Sequence, residues 1–407
     1  MQIALGVIAA VGGFVDIGEL VFNVQAGALF GYQLLWAVVV GVVGIIVFAE
    51  MSGRVAMVTK RPVFDVVRQR MGFTAGFVTL LASEVVNIMT VAAEVGGVAL
   101  ALQLLFADIP FRVLVLIAVA VLVALVWLLP FGGIERVFGY LGLGLLVYVV
   151  AAVKLHPHWG DVLDGFLPHW QTGQDTVKYW YFAVGVIAAA LVPYEVYFYS
   201  SGAIEEGWNP REDMVVNRGN AILGFGLGAL ISAALIVTSA QLFHPAQIQP
   251  EFLGTTALAA QVPLGEAGLL LAVVGMLFAV GGAAVEVSFS GAYNFAQFLG
   301  WEWGKQRGAR GAPRFTVAWF VMFLLAFVIV MTGANPVLIT EYAVIFAVVA
   351  LPLTYLPALL IARDPVYMGE YVNGRLSSVL GWLYFVVLTV VALAAIPLLF
   401  ASTHGSG

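Results

Sequence analysis

GGFVDIGELVFNVQAGALFGY, residues 12–32, places two carboxylates, Asp16 and Glu19, near the middle of an apolar stretch long enough to cross a membrane. Gly12, Gly13 and Gly18 surround the first of them. Glycine weakens a helix by about 1 kcal/mol relative to alanine, so the stretch is a poor helix where its charge is concentrated. A second segment, VGVIAAALVPYEVYFYSSGA at 184–203, repeats the pattern. Pro193 removes a helix hydrogen bond and clashes with the preceding turn, at about 3 kcal/mol, and Glu195 follows two residues later. Two apolar segments are thus interrupted near their middles, and each interruption carries acid.

The surrounding chain is made for lipid. Hydrophobic residues make up 62 % of the 407 and charged ones 10 %, with a mean hydropathy of +1.03. A soluble domain is roughly half apolar and a quarter charged. No polar region is long enough to form one, so a single transmembrane domain over 1–407 is expected. A spanning helix needs about 20 mostly apolar residues, and about eleven such segments follow at approximately 3–30, 32–58, 73–106, 112–130, 134–154, 178–201, 217–243, 264–297, 314–333, 336–362 and 379–401. They are too long and too continuously apolar for barrel strands. The first run lacks a basic leader and a small-residue cleavage site, so it reads as a retained helix. With no cysteine, disulfides and thiolate metal sites are excluded. The net charge of −6 suggests no nucleic-acid partner.

Orientation follows from Lys and Arg. With the N-terminus in the cytoplasm, the inner loops collect Arg54, Lys60, Arg61, Arg68, Arg70, Arg136, Arg211, Arg218, Lys305, Arg307, Arg310, Arg314, Arg363 and Arg375. The outer side keeps only Arg112, Lys154 and Lys178 of the 17 basic residues. The C-terminus then lies outside, and a bacterial plasma membrane is the expected location. Trp36, Trp127 and Trp180, near span ends, fit an interface belt.

The interruptions fall in spans one and six. Interrupted helices in corresponding positions of two halves point to an inverted-repeat transporter, with spans one to five and six to ten as the halves and span eleven appended. Broken helices expose carbonyls at their half-helix ends, which attract cations. Each central carboxylate costs about 2.5–3.5 kcal/mol on insertion scales, so Asp16, Glu19 and Glu195 together cost on the order of 10 kcal/mol. The spans hold almost no Lys or Arg to offset this, which leaves protons or a bound cation. The expectation is a cation site at the bilayer midplane.

These residues resemble a known family. DIGELVFNVQAGALFGYQLLW, residues 16–36, resembles the first-helix signature of the Nramp divalent-metal transporters, whose core is Asp-Pro-Gly-Asn followed by Asn-x-Gln-Ala-Gly. LVPYEVYFYSS at 191–201 is similar to their sixth-helix Met-Pro-His-Asn motif. ASEVVNIMTVAAEVGGVALALQLLF at 82–106 resembles their third helix, and GGAAVEVSFSGAYNFAQFLGW at 281–301 their eighth. The resemblance implies an all-α membrane protein with a LeuT-type inverted repeat and broken helices one and six. It implies metal ligands at Asp16, at Glu19 in the place of an asparagine, and at the backbone carbonyls of Gly13 and Ala189. Glu195 replaces the asparagine that follows the family's histidine. Val192 stands at the family's methionine, Tyr194 at its histidine, and Val91 where an aspartate is linked to proton movement. Glu84 and Glu94 match acids of the third helix.

Those departures carry chemistry. A thioether favours softer ions such as manganese and iron, and with Val192 in its place the site offers only oxygen. Carboxylates and carbonyls suit Mg²⁺, Ca²⁺ and Mn²⁺. An Nramp-related magnesium-transporter branch shows this kind of replacement. The expected function is secondary transport of divalent cations, Mg²⁺ and/or Mn²⁺, by alternating access through an all-oxygen site. Proton coupling is expected to be weak or absent. The metal is substrate rather than cofactor, and no enzyme is implied. Alternatives are a carrier of another cation or an organic amine on the same fold, or a proton-coupled transition-metal importer. Glu286, in span eight, is a pathway candidate with Glu84 and Glu94, which lie along one face of span three. Glu50 and Glu341, near span ends, are expected to be solvated, as are the loop histidines.

Overall fold

In this computed structural model the described residues are 15–129, 131–168, 175–250 and 253–404. They form helices α1 (Ile17–Phe30), α2 (Leu35–Thr59), α3 (Val63–Leu105), α4 (Phe111–Leu128), α5 (Phe131–Gly142) and α6 (Val147–Lys154). A short α7 (Trp159–Asp164) follows, then α8 (Thr176–Ala189), α9 (Pro193–Glu205), α10 (Met214–Leu242) and α11 (Leu253–Leu299). The chain closes with α12 (Pro313–Met331), α13 (Pro336–Ala362), a short α14 (Pro365–Met368) and α15 (Arg375–His404). Among the described residues, ten spans are long and apolar enough to cross a bilayer, counting α5 with α6 and α8 with α9. The 14-residue α1 is a shorter apolar helix beside them. The boundaries lie close to those expected from hydropathy, because each span is set by its own run of apolar side chains.

Two glycines reveal the repeat. Gly72 (φ 82°) interrupts α3, leaving a short helix at 63–71 ahead of the span proper. Gly265 (φ 67°) interrupts α11 in the same way, after a helix at 253–264. Both adopt positive φ, which a side chain disfavours. Each kink precedes the third span of its half, and the two lie at opposite ends of the bundle. Arg68, just before the first, donates to the Phe298 carbonyl, at the end where Arg70 pairs with Asp364. The second connector receives the Tyr148 hydroxyl at its Thr256 carbonyl, 2.9 Å away, and its Gly254 lies against Leu104 at the far end of α3. This is the geometry of an inverted repeat.

The loops segregate as the basic residues predict. At one end Arg54 donates to the Tyr371 carbonyl (2.7 Å) and to Asn373 (2.6 Å), Lys60 donates to the Trp208 carbonyl, and Lys305 pairs with Glu135. At the other end Trp36 donates to the Tyr179 hydroxyl and His244 contacts the Ala28 carbonyl. Large apolar residues such as Leu116, Val317 and Leu393 are exposed on α4, α12 and α15, as lipid contact requires. The buried interior is built from α1, α2, α3, α8, α9, α10, α11 and α13. Close approach there depends on missing side chains: a Cβ at Gly27 would sit 2.4 Å from the Ile236 carbonyl of α10. Small residues at helix contacts serve this purpose in membranes.

Candidate functional site

The first helix starts at its charge. Asp16 is the N-cap of α1, with extended backbone (φ −90°, ψ −178°), and its Oδ1 accepts the Glu19 N–H at 2.9 Å. Asp16 uses its carbonyl as well, accepting from Leu20 at 3.1 Å. From α3, Glu94 Oε1 accepts the Ile17 N–H at 3.3 Å. Asp16, Glu19 and Glu94 are all buried. Their position at a helix N-terminus is part of why they are tolerated, since its positive end favours a carboxylate by about 0.3–1 kcal/mol and up to ~2 kcal/mol when partly buried.

The sixth span breaks by a matching local logic. α8 ends at Ala189 and α9 begins at Pro193. Proline suits the first helical position because the missing N–H has no partner there anyway. The same missing N–H is the one a continuous helix would return to the carbonyl four residues earlier, which is Ala189. The break therefore frees that carbonyl at the negative end of α8. Val192 is the N-cap and its side chain is buried, so no sulfur is offered at this break. Glu195 lies in the first turn of α9, 5 % exposed, and its Oε1 is buried without a hydrogen-bond partner. Tyr194 is buried, and its carbonyl accepts the Ser290 hydroxyl of α11.

Tertiary packing brings the start of α1 to the break between α8 and α9. A Cβ built at Gly18 would lie 3.0 Å from Asp16 Oδ1 and 3.8 Å from the Ala189 methyl. Asp16 is within electrostatic reach of Glu195, Glu19 and Glu94. Among the described residues, none of the ion pairs involves these acids or Glu286. Nor do three or more acidic or histidine side chains close around one point there. A cation held at this place would draw its remaining ligands from carbonyls and water. The expected Gly13 carbonyl lies outside the described residues.

The other candidates divide. Glu286 lines a cavity of about 300 Å³ together with Glu195, Asn220, Phe198, Glu206 and Lys305, open toward the basic end of the bundle. Glu19 turns toward α10, where its Oε2 accepts from Ser232, and the same oxygen accepts from Asn23 one turn along α1. Glu84 does not line the cavity; it is buried against Asn294 and Asn87. Glu341 departs from the solvated reading: it accepts from Gln25 (3.4 Å) and Tyr181 (3.5 Å) at the end opposite the cavity mouth. Glu50 is likewise paired, with Arg54 and Arg218. Sequence reasoning missed Ser232, Asn23 and Lys305 as neighbours of the route. A serine in an apolar helix carries no signal of its own, because its default is to bond its own backbone.

A family profile described as natural resistance-associated macrophage protein-like, Nramp, matches residues 6–397. The divalent metal cation transporter MntH of Deinococcus radiodurans is 26 % identical over 393 residues, covering 92 % of this chain and 85 % of the relative. That of Ralstonia nicotianae is 28 % identical over 401 residues, covering 93 % and 86 %. In fold, the chain is similar to the crystal structure of a manganese transporter from Eremococcus coleocola bound to an aromatic bis-isothiourea compound. The TM-score is 0.83 at 22 % identity, covering all of this chain and 88 % of the other. It is also similar to Mhp1, a nucleobase-cation-symport-1 family transporter, at TM-score 0.60 and 14 % identity, covering 98 % and 91 %. These likenesses agree with a LeuT-type fold.

Proposed function

The chain belongs to the Nramp family, and from that premise we propose that it carries divalent metal cations across the membrane. The route runs through a site formed by Asp16, Glu195 and the Ala189 carbonyl, with Glu19 and the Gly13 carbonyl as further ligands. The observation that carries this reading is the junction of the α1 N-terminus with the α8–α9 break. It places buried Asp16 beside Ala189, whose carbonyl the proline frees, while Glu195 of the same break lines the cavity; among the described residues none of these acids forms an ion pair. Relatives named as divalent metal cation transporters support the substrate class.

Several finer points follow as parts of the same proposal. The basic end is cytoplasmic by the positive-inside rule, so the cavity at Glu195 and Glu286 faces inward. The opposite end is closed by Gln25, Tyr181 and Glu341, and alternating access would exchange the two. With Val192 in place of a thioether the ligands are all oxygen, so Mg²⁺ and Mn²⁺, which carboxylates and carbonyls suit, are the preferred substrates. Mg²⁺ keeps several waters when bound, which suits a site where, among the described residues, three acidic or histidine side chains do not close around one point. Proton coupling is weak or absent, because Val91 and Tyr194 offer no carboxylate or imidazole on the route. The test is proteoliposome uptake of Mg²⁺, Mn²⁺, Ca²⁺ and Fe²⁺ with internal pH recorded. Saturable Mg²⁺ or Mn²⁺ uptake with little acidification is expected. Uptake of organic amines without any divalent cation would overturn the substrate, and stoichiometric acidification would overturn the coupling.

A further inference from the structure

A second cavity, of about 490 Å³, lies at the basic end of the bundle, apart from the one that reaches Glu195. Three elements each bring an arginine to it: α2 brings Arg54, the α9–α10 loop Arg211, and α10 Arg218. The segment between α14 and α15 adds Glu370 and Tyr371, and the first turn of α15 adds Ser377. Arg54 is built into the wall. Its side chain is 6 % exposed, and it donates to Glu50, to the Tyr371 carbonyl and to Asn373, which pins the linker ahead of α15 to α2. The other two arginines are held loosely. Arg218 is 63 % exposed and approaches Glu50 only to 3.6 Å. Arg211 is exposed, and among the described residues it forms no ion pair.

A positive-inside bias places basic residues in inner loops, but it does not require three of them on one cavity. Among the lining residues Glu370 is the one carboxylate against three arginines, and Glu50 behind them offsets one more charge. The positive charge left over matches one phosphodiester. Guanidinium groups grip phosphate oxygens through paired N–H bonds, a chemistry that free phosphate and a lipid headgroup share. The surroundings favour the lipid. α10 and α15 both begin at this cavity, and both pack on α2. Beyond it, Val215, Ile222 and Leu223 of α10 and Leu376, Val379 and Leu383 of α15 are exposed. On α2, Val39, Val43, Val47, Glu50 and Arg54 share one helix face, and Val39 and Val43 of that face are exposed. Each of the three helices therefore runs from the cavity into apolar surface of the kind acyl chains cover. Basic pockets between spans on the cytoplasmic side suit anionic headgroups. We propose that this cavity binds the phosphate of an anionic inner-leaflet phospholipid, with Arg211 and Arg218 gripping the headgroup, Arg54 fixing the wall and the acyl chains lying along α2.

The test is native mass spectrometry of the purified full chain in detergent, titrated with dioleoylphosphatidylglycerol, with dioleoylphosphatidylcholine or with inorganic phosphate. The site predicts one phosphatidylglycerol adduct that saturates ahead of any others, at a concentration about tenfold below that for phosphatidylcholine. Arg211→Gln combined with Arg218→Gln should raise the half-saturating concentration about tenfold or more. Arg307→Gln combined with Arg310→Gln, an equal loss of charge on the α11–α12 loop, should leave it unchanged. Equal affinity for the two lipids, or an equal loss in the two double variants, would mean diffuse surface charge and would overturn the site. Displacement of phosphatidylglycerol by an equal concentration of inorganic phosphate would overturn the lipid assignment. Should the Arg211 and Arg218 double variant fail to fold, Arg211→Gln alone carries the test, and unaltered phosphatidylglycerol binding in it would overturn the proposal.

Discussion

Replacing Asp16 separates two jobs that one side chain does. Its Oδ1 caps α1 through the Glu19 N–H, and its charge faces the junction with Glu195. Asparagine caps a helix about as well as aspartate, whereas alanine at an N-cap costs about 0.5–2 kcal/mol. Asp16→Asn should therefore keep the cap and remove the charge, while Asp16→Ala removes both. In metal-free buffer the Asn variant should unfold at or above the wild-type temperature, because it relieves repulsion among buried acids. The Ala variant should fall below the Asn variant by about 1–4 °C. Breaking a buried charge pair costs about 3–5 kcal/mol, so both variants should lose cation affinity by roughly 10²–10⁴-fold. Calorimetric titration with Mg²⁺ and Mn²⁺, followed by uptake in proteoliposomes, measures the second effect, and thermal unfolding measures the first. An Asn variant that binds within threefold of wild type would remove Asp16 from the ligand set. Equal unfolding temperatures for the two variants would refute the capping argument.

Glu19→Gln should retain uptake with KM raised less than tenfold, because an amide oxygen still accepts from Ser232; complete loss would make the charge itself essential. Gly18→Ala should lower affinity about tenfold, since its methyl would meet Val344 at 2.9 Å and Asp16 Oδ1 at 3.0 Å; unchanged binding by calorimetry would show that the junction yields freely. Val192→Met should shift competition from Mg²⁺ toward Cd²⁺ by adding a thioether at the break. If Cd²⁺ competes equally well in both proteins, residue 192 does not set selectivity.

The sequence by itself determined the spans, the division of basic residues between two ends, and the break at Pro193. Each of these is local: a run of apolar side chains sets a span, and a proline frees the carbonyl four residues before it wherever the helix lies. The weakness around Asp16 was equally legible, because glycine and a capping carboxylate act within one turn. Tertiary structure decided what the acids do. Glu84 and Glu94 lie along one helix face and look equivalent in the chain, yet Glu94 reaches the first N–H of α1 and Glu84 is held by the Asn294 amide of α11. Glu19 is adjacent to Asp16 in the motif, but Ser232, 213 residues away, draws it toward α10. Glu341 has the hydropathy context of a solvated span end and is instead held by Gln25 and Tyr181. A buried carboxylate takes its role from whichever donors the packing brings within about 3 Å, and those donors come from helices hundreds of residues apart, whose approach no local pattern encodes.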